Sequence, residues 1–205
     1  MKTLILFLLV FSVTIAGLWS GSNLAMAQSN TITLVPPMKS GGMPLMDALN
    51  NRKSFRAFQA ESLSPEDLSN IFWAAFGLNR PDGLRTIPTS YGHNALAVYG
   101  VLASGVYLYV PEEHKLTLIL PGDQTMAYGG APLTILYAAS VMDGPGGGFH
   151  AGSAYQNVAL YCASAGLANV VKTTGVNHLK DRLTPPNGWK VLVVQSIGRP
   201  AGTGF

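Results

Sequence analysis

The chain has 205 residues, 48% hydrophobic and only 11% charged, with a formal net charge of +3. That balance offers no basic stripe of the kind nucleic-acid binding demands, and a single cysteine allows no internal disulfide. So few charges on a soluble chain point to surface covered by a second subunit.

Lys2, the apolar run from Leu4 to Phe11 and the closing Ala25-Met26-Ala27 predict a secretory signal peptide over 1–27, cleaved after Ala27. The apolar run is short of the roughly 20 residues a membrane span needs. The expectation is therefore a periplasmic or secreted protein with no membrane span after cleavage, 12 cations against 10 anions once Lys2 is gone. Residues 28–42, with Pro36-Pro37 and Gly41-Gly42, read as an extended N-terminal arm and not as a folded element. One folded domain follows over 43–205.

A short helix is predicted from Pro44 through Leu45, Met46 and Leu49. At its exit, Arg52, Lys53 and Arg56 put three cations within five residues, with Ser54 between them. An extended chain places Arg52, Ser54 and Arg56 on one face. A guanidinium pair with a hydroxyl suits one phosphate monoester, although charge runs are as often solvated turns.

The clearest helix begins at Ser64, with Pro65 in its first turn and Leu68, Ile71, Phe72, Ala75 and Phe76 at helical spacing, and Gly77 as a left-handed cap. From Ala95, three strands separated by Ser104-Gly105 and by Pro111 to His114 predict an antiparallel meander. Pro132 to Ala139 reads as a buried strand and Gly144 to Gly148 as a flexible loop. A second long helix is predicted from Ser153 to about Ala165, burying Cys162 as a small hydrophobe, with Gly166 at its exit. A short strand (Val170-Val171), a small helix near Val176 to Leu183 and a last strand from Trp189 to Ile197 complete an α+β domain.

Known catalytic constellations find little footing. His93, His114, His150 and His178 have no ligand-spaced partners, so no metal site is predicted. No Gly-x-Ser-x-Gly elbow is present, and the acids sit mostly in helix starts and hairpin turns, which disfavours a carboxylate pair. The remaining polar groups are Arg85, Thr86, Thr89, Ser90, Tyr91, His93 and Asn94 in one loop, then Gln156-Asn157, Lys172-Thr173-Thr174 and Arg199. Hydroxyls, amides and a few cations suit a large heteroaromatic ligand bearing a polyol and a phosphate.

Five ordered motifs over about 45–200 resemble the nitroreductase superfamily of flavin enzymes. They are Arg52 to Phe58, Leu63 to Gly77, Arg85-Thr86-Ile87-Pro88-Thr89-Ser90, Gly152 to Leu167 with Gln156-Asn157, and Ile197-Gly198-Arg199-Pro200. Within that superfamily the chain is most similar to the azoline-oxidising dehydrogenases of peptide maturation, the SagB or ThcOx type. The resemblance implies a nitroreductase-like fold with a central, mainly antiparallel sheet flanked by helices. It also implies a homodimer with FMN in clefts between subunits, acting on a small-molecule or peptide substrate. Arg52, Lys53, Ser54 and Arg56 would hold the phosphate, ribityl and pyrimidine end of FMN, joined by Arg199. Thr89, Ser90 and Asn94 would approach from the partner subunit, and the backbone of Val170, Val171 and Lys172 would lie near flavin N5. Hydride would pass through N5 between a nicotinamide or organic donor and an acceptor, with no side chain as catalytic acid or base. Two departures stand out. Thr89-Ser90-Tyr91-Gly92-His93 replaces a run of small residues, which makes Tyr91 and His93 substrate-pocket candidates, and Ala168-Asn169 replaces Gly-Thr. A catalytically degenerate FMN-binding or structural module, and an anion-binding domain unrelated to flavin, are the alternative readings.

Overall fold

The computed structural model describes residues 30–89, 96–140 and 146–202. The predicted signal peptide, Ser90, Tyr91, His93, Asn94 and Gly144-Pro145 lie outside the described residues. Among the described residues three α-helices and a seven-stranded sheet make the fold: β1 (Thr31–Thr33), α1 (Leu45–Asn51), α2 (Pro65–Phe76), β2 (Leu96–Leu102), β3 (Gly105–Val110), β4 (Lys115–Pro121), β5 (Leu133–Ala139), α3 (Gly146–Ala165), β6 (Ala168–Lys172) and β7 (Lys190–Gly198). The sheet order is β1-β4-β3-β2-β5-β7-β6, and each of these pairings is antiparallel. The α+β reading holds, and the predicted meander is β2-β3-β4.

Side-chain alternation gives the sheet two buried faces. Val98, Ile135, Tyr137 and Val193 point to the helix side, where they pack with Ile71 and Phe72 of α2 and Val158 and Cys162 of α3. Their neighbours Tyr99, Leu136, Ala138 and Val194 point the other way, under Tyr128, Leu179 and Leu183. Gly100 sits mid-strand in β2 because Phe72 leaves no room there: an added Cβ would stand 2.5 Å from its ring tip. Burial pushes the Cys162 thiol far up, as expected of an inert core cysteine.

α2 starts as its sequence dictates, with Ser64 Oγ accepting from Asp67 N at 3.0 Å. Gly77, however, is extended and not left-handed (φ −71°, ψ 163°). Glycine is required there because a side chain would collide with Trp73. At the exit of α3 the left-handed glycine is present: Gly166 has φ +69°, and Leu167 N returns to Cys162 O at 2.8 Å.

Three further expectations are corrected. α3 begins at Gly146, seven residues before Ser153, so Gly146 to Gly148 are helical. The backbone approaches the end of β5 so closely that a Cβ on Gly147 would overlap the Ser140 carbonyl, and the local flexibility of glycine is overridden by packing. The arm is partly folded, since Thr31–Thr33 pairs with β4 and caps that edge of the sheet. Residues 176–183 form turns and not a helix, held by Leu179 and Leu183 against the sheet.

The arm is further tied down by His114, among the described residues the one non-glycine residue at positive φ (46°). Ser69 Oγ (2.7 Å) and Val35 O (3.1 Å) both meet its Nε2; Ser69 gives its own proton to Val35 O, and that carbonyl can only accept, so Nε2 carries the proton. Nδ1 then accepts from Tyr109 Oη at 2.9 Å. Burial lowers the His114 pKa; the Val35 bond opposes this and the Lys39 charge adds to it.

Candidate functional site

The cationic segment is positioned chiefly by main-chain bonds, with Gln59 Nε2 donating to Pro200 O at 2.8 Å beside them. Arg52 N closes α1 on Ala48 O at 3.0 Å, and the chain turns extended at Arg52 (φ −62°, ψ 120°). Phe55 N then donates to Asn169 O of β6 (2.8 Å), Gln59 N to Arg199 O (2.9 Å), and Ala201 N to Ala57 O (3.1 Å), while Phe58 bridges to Pro200. Residues 52–58 therefore run along the outer edge of β6 and beside the chain leaving β7. Three distant sequence motifs, the cationic segment, the α3–β6 junction and Gly198-Arg199-Pro200, meet at one end of the sheet. Gly198 permits that closeness: a Cβ there would stand 2.8 Å from Pro132 and 3.3 Å from Phe58.

The alternation of an extended segment divides the cluster. Lys53 and Phe55 face a small recess of about 150 Å³ lined also by Asn51, Gly166 and Asn169, with the Lys53 ammonium 4.9 Å from the Phe55 ring centre. Arg52, Ser54 and Arg56 are exposed, and none of them lines that recess. Neither arginine is held by an ion pair among the described residues. Arg199 differs: its guanidinium lies 3.7 Å from Glu61 and 3.9 Å from Asp67, a pairing without a local signal in the chain.

β6 presents the backbone of Val170, Val171 and Lys172 at the sheet edge, pairing only with β7. The Lys172 ammonium is committed to Tyr128 O at 2.9 Å, and burial lowers its pKa. Beneath the strand runs a polar chain buried in the core. Tyr137 Oη donates to Gln195 Oε1 (2.6 Å), and Gln195 Nε2 donates to Asn169 Oδ1 (3.0 Å) and to Tyr155 O (3.2 Å). This network fixes the residue whose carbonyl receives Phe55. Its signal in the sequence is Gln195 itself, a large polar residue directly after the apolar run Val191 to Val194.

The loop carrying Thr89 is built elsewhere. Arg85 is buried, paired with Glu112 at 2.5 Å and laid 4.7 Å over the Phe76 ring. Burial raises the Glu112 pKa, and the Arg85 hydrogen bond, a backbone hydrogen bond and the Arg85 charge together outweigh that to leave it below the usual value. Thr86 Oγ1 donates to Trp73 O (3.1 Å), Asn157 Nδ2 donates to both Ala74 O (3.3 Å) and Thr86 O (3.2 Å), and His150 Nδ1 meets Pro88 O at 3.0 Å. Arg85 and Asn157, polar residues inside two of the motifs, are thus structural clamps for this loop. Half-buried Thr89 lies beside exposed Phe149 at the start of α3.

The two groups lie at opposite ends of α3. His150 touches the Thr89 loop, and Ala163 lines the recess beside Lys53; from one to the other the helix rises about 20 Å.

This architecture has solved counterparts. A putative nitroreductase from Ralstonia eutropha JMP134 is 35% identical, superposes with a TM-score of 0.77, and matches over 84% of this chain and 90% of its own. The chain belongs to the nitroreductase superfamily. A putative nitroreductase of Methanocaldococcus jannaschii is also 35% identical, but over 83 residues, 37% of this chain and 41% of that relative's length. A nitroreductase-fold structure from Desulfovibrio desulfuricans, in complex with FMN, shares the fold at 18% identity (TM-score 0.57, 80% of this chain and 91% of that one). No protein-family model matches the chain. Among the described residues no group of three or more His, Cys, Asp or Glu is placed to hold a metal, and no described helix is long and apolar enough to cross a membrane.

Proposed function

We propose that this nitroreductase-superfamily chain is an exported FMN-dependent oxidoreductase that works as a homodimer, with each flavin site assembled from two copies. The separation of the cationic segment and the Thr89 loop along α3, about 20 Å, carries this reading. One chain cannot close both around a single isoalloxazine ring, whereas two copies related by a two-fold axis can. The residues fit the cofactor. Arg52 and Arg56 are exposed guanidiniums without carboxylate partners among the described residues, and Ser54 shares their face. The 150 Å³ recess is smaller than the roughly 300–1,000 Å³ of ordinary ligand pockets, so most of the enclosure belongs to the partner.

In this assignment Arg52, Ser54 and Arg56 grip the phosphate and ribityl chain, with Lys53 at the adjoining recess. Arg199 joins them by releasing Glu61 and Asp67; ion pairs of 3.7 and 3.9 Å on a side chain 41% exposed are worth at most about 1 kcal/mol, so the release is cheap. The backbone of Val170, Val171 and Lys172 faces the N5 edge, held in place by Asn169 and Gln195. Thr89, Ser90 and Asn94 cover the ring from the partner, and Tyr91 and His93 select the substrate. When bound, FMN supplies two-electron chemistry at N5 between a nicotinamide or organic donor and an acceptor, so no side chain is assigned as catalytic acid or base. The finer placement beside the azoline-oxidising dehydrogenases, and hence a peptide substrate, rests on the order of the five motifs.

Titration with FMN tests this directly. Quenched flavin fluorescence with a shifted visible spectrum, followed by bleaching with a nicotinamide or organic donor, is the expected result. Failure to bind FMN overturns the assignment. Stable binding without reduction by any donor identifies a module that has kept the cofactor and lost the reaction.

A further inference from the structure

The sheet face away from the helices holds a second cavity that the flavin reading does not use. It measures about 320 Å³ and lies between the turn segment 176–185 and the start of β7. Leu179 and Leu183, 4% and 3% exposed, form its floor, and Val176, Val191 and Trp189 its walls. The polar contributions are those of Asn177, Lys180 and Lys190, all exposed; Trp189 and Val191 both turn to this face, so the Lys190 side chain between them points to the other. No Asp or Glu lines the cavity, and Asp181, next to Lys180 in the chain, is not part of it. Among the described residues Lys180 is not ion-paired.

We infer that this cavity binds a small amphipathic carboxylate, a short acyl chain or single aromatic ring bearing one carboxyl group. The apolar floor excludes a strongly hydrated ligand, because burying polar groups there would leave them without partners. The exposed Lys180 complements one anion and repels a cation, and its ammonium can snorkel over the rim while its stem extends the apolar wall. The volume stands at the lower end of ligand pockets, about 300–1,000 Å³, which limits the body to one ring or a short chain. Trp189 supplies a flat surface beside the site.

Calorimetric titration of the purified protein with octanoate, and separately with n-octanol, tests the inference without reference to FMN. Octanoate is expected to bind saturably at one site per chain. Lys180→Met, whose position is exposed and whose melting curve checks the fold, is expected to weaken octanoate at least threefold and leave octanol unchanged. Val191→Phe, which fills the cavity without touching the Lys180 charge, is expected to abolish binding of both. Absence of saturable octanoate binding overturns the inference, as does equal octanoate affinity in Lys180→Met. Octanol binding as tightly as octanoate would overturn it in favour of a neutral apolar occupant.

Discussion

Replacing Arg52 and Arg56 together by alanine separates cofactor binding from folding. Each guanidinium–phosphate contact, a charge-assisted hydrogen bond, is worth about 1.5–3 kcal/mol. Because both contacts would engage the same ligand they will not add fully, and a loss of about 3 kcal/mol, roughly a hundredfold in FMN Kd, is the working expectation. The fold should not notice. Both side chains are exposed, and the segment is held by Arg52 N, Phe55 N and Gln59 N, main-chain donors that survive the substitution. Urea midpoints should therefore stay within about 0.5 kcal/mol of wild type. Fluorescence titration of FMN against both proteins, paired with urea melts, reads the two quantities independently. Wild-type FMN affinity in a folded double variant would refute the placement of the phosphate.

Gly100→Ala should destabilise the fold by about 1–3 kcal/mol in denaturant melts, since its Cβ would meet the fully buried Phe72 at 2.5 Å with strands on both sides. Asn157→Ala leaves two carbonyls, Ala74 O and Thr86 O, without this donor; we expect about 1–3 kcal/mol lost in stability and weaker FMN retention through the loosened Thr89 loop. His114 gives a pH signature. Its folded pKa lies below the unfolded value of about 6.5, so the unfolded chain takes up the proton first; stability is intact above pH 6.5 and falls as the pH drops below it, by at most about 1.4 kcal/mol per unit. Melts of His114→Asn, which tolerates the left-handed backbone, should show that slope flattened; an unchanged slope would remove His114 from the account.

Local signals carried much of the fold. Ser64 with Pro65 fixed the start of α2, the spacing of Ile71, Phe72 and Ala75 fixed its buried face, and the turns at Ser104-Gly105 and Pro111 to His114 fixed the meander. Failures arose where a distant contact overruled a local preference. Gly146 to Gly148 are helical because Gly147 must pass close to Ser140, Thr31–Thr33 is a strand because β4 had an open edge, and residues 176–183 pack as turns on the far face of the sheet. The cationic segment was legible as a cluster. Its seat on Asn169 and Arg199 was not, because those partners lie more than a hundred residues away, and nothing local reveals that Arg199 meets Glu61 and Asp67. The distance between Arg52 and Thr89 along α3, on which the two-copy site depends, is likewise a property of the assembled fold.

Native mass spectrometry of the FMN-reconstituted protein tests the central claim most directly. The account predicts a species of two chains carrying two FMN molecules, with FMN lost when the dimer dissociates. A monomer that retains FMN, or a dimer that binds none, would contradict it.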